Sequence, residues 1–266
     1  MQLGHFIKKI LIGLIMNDLT ILIQGPYNKD HIDKIFDYKK FTDSIVYSTW
    51  HNDDLSQIPE FVKVVSHTLP DQGSCYCCNK RMKNLITDST IAWAVGSVHA
   101  GLKVIDSEFT IKIRSDEYYV NLQPMIDLMH YNRDKIVCGN IFVNDRIPFH
   151  MGDHIFGGNT KVMQKCYDNI LSDHHNNNPF NKFYYNYFAN NNYPSWPAES
   201  MLACNLMKAM GKKPTIDNFM QCFEIVDINL MKPFKASHQH AQRFWTDTFT
   251  DHNGIFCMED LKTRFL

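Results

Sequence analysis

No lysine- or arginine-rich run interrupts the 266-residue chain, and its 27 basic residues are balanced by 28 acidic ones. A protein that holds nucleic acid through counterion release needs a basic excess or patch, so nucleic acid is not an expected partner. The sequence also lacks G-x-G-x-x-G and G-x-x-x-x-G-K-[ST]. That excludes the Rossmann dinucleotide and P-loop readings. Long apolar runs are missing too. The stretch from Ile10 to Met16 within "HFIKKILIGLIM" falls short of the roughly 20 residues that cross a bilayer, and no small-residue cleavage site follows it. Residues 1–16 read as an N-terminal extension, an amphipathic segment docked on the body or on a membrane surface. The expected location is the cytoplasm, with at most peripheral membrane contact.

Zinc-site spacing is likewise scarce. Five of the eight cysteines (Cys138, Cys166, Cys204, Cys222 and Cys257) stand alone. The C-x-x-C from Cys75 to Cys78 has no second pair and no adjacent histidine to complete four ligands. Reduced, buried thiols are the plainer reading. No internal repeat and no Pro/Ser linker divides the chain, so residues 17–266 are expected to form one domain.

What is present is alternation. Short β-branched runs at Leu19–Ile23, Ser44–Ser48, Val62–Ser66, Phe109–Ile113 and Lys135–Cys138 predict strands. Helical patterns fall near Lys29–Lys39, Asn79–Gly101 and Leu122–Tyr131. Strands separated by such helices predict an α/β fold with a mostly parallel sheet. "GDHIFGGNTKVM" predicts a strand and a glycine turn leading into a helix over Lys161–Leu171. A further helix is expected from Pro197 to Met210. Between them, residues 172–196 hold eight asparagines and eight aromatics, more aromatic than disordered tracts are.

Open parallel sheets bind ligands outside the carboxyl ends of their strands. This rule selects Gln24-Gly25-Pro26 after the first strand, Thr49-Trp50 after the second, and Arg114-Ser115-Asp116-Glu117 after the fourth. Adjacent carboxylates at a strand end are costly unless solvated or met by a cation. Oxygen ligands of this kind suit Mg²⁺ or Mn²⁺ bridged to substrate phosphates, and Arg114 adds a charge-assisted grip. The plainer alternative is an ordinary charged turn in which Arg114 pairs with Asp116. Trp50 can stack on a base or simply fill core. Asn79 and Arg81 open a long helix, where free N–H groups favour anions.

In order, these segments resemble the WavE lipopolysaccharide-synthesis family: Q-G-P after the first strand, S-T-W at the second, N-x-R opening a helix, and K-x-R-[ST]-D. "GDHIFGG" and "PAESML" resemble that family's later D-x-x-x-x-G segment and Pro-Glu helix start, so the matches run from residue 19 to about 205. The resemblance implies a GT-A-like glycosyltransferase with a nucleotide-sugar donor, UDP- or TDP-linked, and a divalent metal, Mn²⁺ or Mg²⁺. It implies a Rossmann-like domain with helices on both sheet faces, a nucleotide-sugar half (about 17–140) and an acceptor half (about 141–266). Gln24, Gly25, Thr49, Trp50, Asn79 and Arg81 then line the nucleotide side, to which the strand-end reading adds Pro26 and Arg114. Asp116 takes the metal- and diphosphate-linked place. The residues themselves offer Glu117 and a C-terminal histidine, His238 or His240, as further ligands, a solvated tail being the plainer role for the histidines. "RSDE" departs from a full D-x-D.

The expected reaction is inverting transfer of sugar to a glycan or glycolipid acceptor hydroxyl, with Glu199 or Asp153 as the base. A carbohydrate- or partner-binding protein on the same frame, without turnover, and a sugar nucleotidyltransferase are the competing classes.

Overall fold

The computed structural model describes residues 18–29, 32–68, 90–140, 143, 148–175 and 198–234. Its frame is one seven-stranded sheet. The first strand, β1 (Leu19–Gln24), is buried along its whole length and pairs in parallel with β2 (Ser44–Trp50) and β4 (Phe109–Arg114). Outside β2 lies β3 (Lys63–His67), also parallel. On the other side come β7 (Ile155–Asn159), β6 (Ile136–Gly139) and β8 (Phe223–Val226), giving the order β3-β2-β1-β4-β7-β6-β8. Only β7 runs against the rest, antiparallel to both β4 and β6. The short strands β5 (Tyr118–Tyr119) and β9 (Pro233–Phe234) form a separate antiparallel pair. The α/β fold with a mostly parallel sheet is therefore as expected.

Alternation along the strands divides the core in two. Ile21, Ile23, Ile45, Ile111 and Ile113 face a layer made by α1 (Ile35–Tyr38), α3 (Gln123–Tyr131) and a 3-10 turn at Ile228–Met231. Leu22, Val46, Cys138 and Phe156 face the opposite layer, where α2 (Thr90–Leu102), α4 (Thr160–His175), α5 (Ala198–Ala209) and α6 (Ile216–Cys222) pack. Helix α2 is also pinned to β2 by a reciprocal pair: Ser48 Oγ donates to the Ser97 carbonyl at 2.6 Å and Ser97 Oγ to the Ser48 carbonyl at 3.0 Å. Helices thus cover both faces.

Two expectations are revised. The segment after β1 is a 3-10 turn at Ile32–Lys34 followed by the four-residue α1, not a helix over Lys29–Lys39. Its buried residues Ile32, Ile35 and Tyr38 recur every three positions, which matches the 3-10 period better than 3.6. Gly157 and Gly158 also do not form a turn; they lie inside β7. A Cβ on Gly157 would sit 2.8 Å from the Thr110 carbonyl oxygen and 2.9 Å from Met129 Sδ, so glycine lets β4 and α3 close on this strand. Cys138, Cys166, Cys204 and Cys222 are buried, and burial pushes the Cys138 thiol up to about 12, consistent with inert packing thiols. The cysteines at 75–78 lie outside the described residues. Among the described residues no helix is long and apolar enough to cross a membrane.

Gly157→Ala is expected to destabilise the protein by about 1–3 kcal/mol through overpacking, read as a lower urea midpoint with an unchanged slope. An unchanged midpoint would show that β7 can move aside.

Candidate active site at the carboxyl edge of the sheet

The ends of β1, β2 and β4 are tied together by their backbones. Gly25 donates to the Ser48 carbonyl at 3.1 Å, and Ser115 donates to the Gln24 carbonyl at 2.8 Å. Gly25 has φ of +129°, and a Cβ there would lie 2.5 Å from Ser115 Oγ. Both facts demand glycine. The loop that follows is held from β2 and its exit. Tyr47 donates its hydroxyl to the Pro26 carbonyl at 3.1 Å, and the Tyr27 amide donates to Asp53 Oδ2 at 2.9 Å. Thr49, fully buried, bonds the same Asp53 oxygen. Thr49 therefore fixes the loop through Asp53 and does not line the cleft, whereas Trp50 does. The Trp50 ring stands edge-on to His67 with centroids 4.6 Å apart, and burial pushes the His67 imidazole down to about 4, leaving it neutral.

The polar face of β4 supplies the floor. Arg114 forks onto Asp116, Nε to Oδ1 at 2.9 Å and a terminal nitrogen to Oδ2 at 2.8 Å. Burial works against the charge on each partner, but the pairing overrides it: Asp116 is held below its ordinary range and Arg114 above its own. Glu117 diverges from Asp116. It is buried, bonded to His154 Nδ1, and accepts from the Tyr119 hydroxyl at 2.8 Å. One pleat before Arg114, the buried Lys112 donates to the Asp153 carbonyl at 2.6 Å.

Asp153 and His154 reach this edge because β7 is antiparallel and begins where β4 ends. Burial favours the neutral form of Asp153, but the charge of Lys112, then those of His154 and Arg114, outweigh it, so the carboxyl is shifted downward. Glu199, in the first turn of α5, behaves oppositely. Burial, reinforced by the negative charge of Asp153, pushes it up to about 7. Its Oε2 lies 3.7 Å from His150 Nε2. Ser200 Oγ donates to the Pro148 carbonyl at 2.8 Å and fixes this helix start against the chain before Asp153.

Some of these groups line a cleft of about 660 Å³, within the usual size of small-molecule sites. Gln24, Gly25 and Pro26 line one side, and Arg114, Asp116 and Asp153 line the floor with Lys112. Thr49, Glu117 and Glu199 are not among the described residues lining it. Asn79, Arg81, His238 and His240 lie outside the described residues. Lys112, Asp53, His150 and His154 were not among the residues singled out from sequence. A lysine inside the apolar strand "FTIKI" was the available signal for the first of these.

A family model for WavE lipopolysaccharide synthesis matches residues 19–230. The chain belongs to the WavE lipopolysaccharide-synthesis family. No match is found among curated proteins. Among solved structures, HddC from Yersinia pseudotuberculosis is similar over 55% of this chain and 78% of its own, at 12% identity and a TM-score of 0.34, too slight a likeness to carry an argument. The motifs expected of a WavE chain fall within the matched span, and those at the ends of β1, β2 and β4 meet at one edge. His238 and His240, expected to complete a metal set with Asp116 and Glu117, lie outside the described residues. Among the described residues no three His, Cys, Asp or Glu side chains are grouped to hold an ion. Asp116 has both oxygens on Arg114, and Glu117 has its own on His154 and Tyr119.

The raised Glu199 carboxyl has a consequence for stability. The folded state binds its proton more tightly than the unfolded chain, so the cost of Glu199 is absent below about pH 4.5, grows as pH rises towards 7, and then levels off. Glu199→Gln should match the parent in thermal melts at pH 4 and exceed it by about 1–3 kcal/mol at pH 8. Equal stability at both values would show that Glu199 ionises freely.

Proposed function

We propose that the protein is a glycosyltransferase that moves a sugar from a UDP- or TDP-linked donor to a hydroxyl of a glycan or glycolipid acceptor, with inversion. One observation carries this reading. Asp153 and Glu199 are close enough to influence each other, yet their environments drive them apart, Asp153 downward and Glu199 up to about 7. Carboxyls separated in this way take different roles. Asp153 stays ionised beside Lys112, while Glu199 is poised to accept a proton near neutral pH, the range in which a general base works best. Membership of a lipopolysaccharide-synthesis family supports a transferase acting on glycans.

In this reading the nucleotide lies over the Gln24–Pro26 turn with its base near Trp50, and the diphosphate lies at Arg114. Glu199 removes the proton from the acceptor hydroxyl as that oxygen bonds to the anomeric carbon. The bond from the anomeric carbon to phosphate breaks, and the nucleoside diphosphate leaves with the electron pair. Negative charge developing on the leaving oxygen is met by the Arg114 guanidinium, preorganised by its fork with Asp116. The ring passes through an oxocarbenium-like state, which the anionic Asp153 stabilises from the floor.

Glu199→Gln should lower sugar transfer by about 10²–10⁴-fold while leaving nucleoside diphosphate affinity unchanged, read by product release and by calorimetric titration. Transfer at nearly the parent rate would remove Glu199 as the base and pass the role to Asp153. Glycan binding with no response to any nucleotide would replace the enzyme by a binding protein.

A further inference from the structure

Lys112 is in an unusual place for an ammonium. It lies within the central strand β4, opposite Leu22 on β1 and Phe156 on β7, and is only 3% exposed. Burial draws its pKa down, with Asp153 the first group opposing that shift. A buried charge of this kind is costly and is a poor way to stabilise a sheet. A methionine or leucine would suit the strand better, yet here the side chain lines the cleft. Its Nζ uses one proton on the Asp153 carbonyl at 2.6 Å and lies 5.5 Å from the centre of the Phe156 ring. An ammonium has three protons to donate.

We infer that Lys112 and Asp153 together read the hydroxyls of the transferred sugar, the ammonium donating to one hydroxyl and the carboxylate accepting from another. This rests on the glycosyltransferase reading and adds the part of the donor that the pair contacts. Placement is the first argument. Lys112 lies two residues before Arg114 on the same strand face, about 6.6–6.8 Å deeper along the strand, so a donor with its diphosphate at Arg114 brings its sugar over Lys112. The charge of Asp153 acts on both Lys112 and Glu199, as that of Arg114 does, so the diphosphate site, the pair and the base lie close together. Charge is the second argument. The ammonium bonds the main-chain carbonyl of Asp153, and the Asp153 carboxylate beside it, shifted towards its ionised form, would repel a phosphate. A donor beside an acceptor instead matches a hydroxyl, which both donates and accepts.

The test compares two classes of ligand on three proteins. Parent, Lys112→Met and Lys112→Arg are titrated calorimetrically with UDP-glucose, UDP-galactose and TDP-glucose, and with UDP and TDP. Lys112→Met should lose about 10–100-fold in affinity for the nucleotide sugar that binds the parent most tightly and keep its nucleoside diphosphate affinity within about twofold. Lys112→Arg should recover part of the loss. Equal losses for both ligands would make Lys112 a phosphate contact, and no loss for either would make it a packing strut; each overturns the inference. A second arm needs no variant. On the parent protein, the same nucleotide sugar lacking one hydroxyl should lose a similar factor at one ring position or more, and no loss at any position would overturn the pair. A parent that binds neither nucleotide sugars nor nucleoside diphosphates removes the glycosyltransferase reading itself, and the pair with it.

Discussion

One antiparallel strand placed inside a parallel sheet determines which ends meet. Strands β1, β2 and β4 all terminate at the ligand edge, so the residues after them converge there. Because β7 runs the other way beside β4, the residues before it arrive at the same edge. Asp153 and His154 therefore stand against Arg114–Glu117, although about forty positions separate the two segments in sequence. The glycines of β7 make that close pairing possible, since a side chain at Gly157 would collide with the β4 backbone.

Charge pairing follows from this juxtaposition. Asp116 meets Arg114, Glu117 meets His154, and Asp153 meets Lys112. Each carboxyl thus has a partner contributed by the β4 face or by the start of β7. Glu199 arrives from the first turn of α5, and for it burial and the like charge of Asp153 dominate. A carboxyl that holds its proton until about pH 7 is consequently a product of the frame as a whole and not of its immediate sequence neighbours.

Much of the frame was legible in the sequence. The β-branched runs mark β1, β2, β3, β4 and β6 to within one or two residues, because buried parallel strands read as continuous apolar stretches. The carboxyl-edge rule found Gly25, Trp50 and Arg114. Pairs of neighbours were harder. Thr49 and Trp50 alternate across β2, so only one faces the cleft, and Glu117 turns away from Asp116 to His154. Elements β8 and α6 left little signal, the strand being four residues long and carrying Glu224, which bonds Lys135 at 2.9 Å. Periodicity does not separate so short a run from a loop. The direction of β7, and with it the importance of Lys112 and His154, depends on tertiary pairing that local pattern does not encode.

The account rests on one cleft receiving the donor with its diphosphate at the β4 end. The most direct measurement is a crystal structure of the protein grown with UDP or TDP. The account predicts nucleotide density over the Gly25 turn, with the base beside Trp50 and the phosphates within hydrogen-bond distance of Arg114. Nucleotide density elsewhere on the protein, with this edge unchanged, would contradict it.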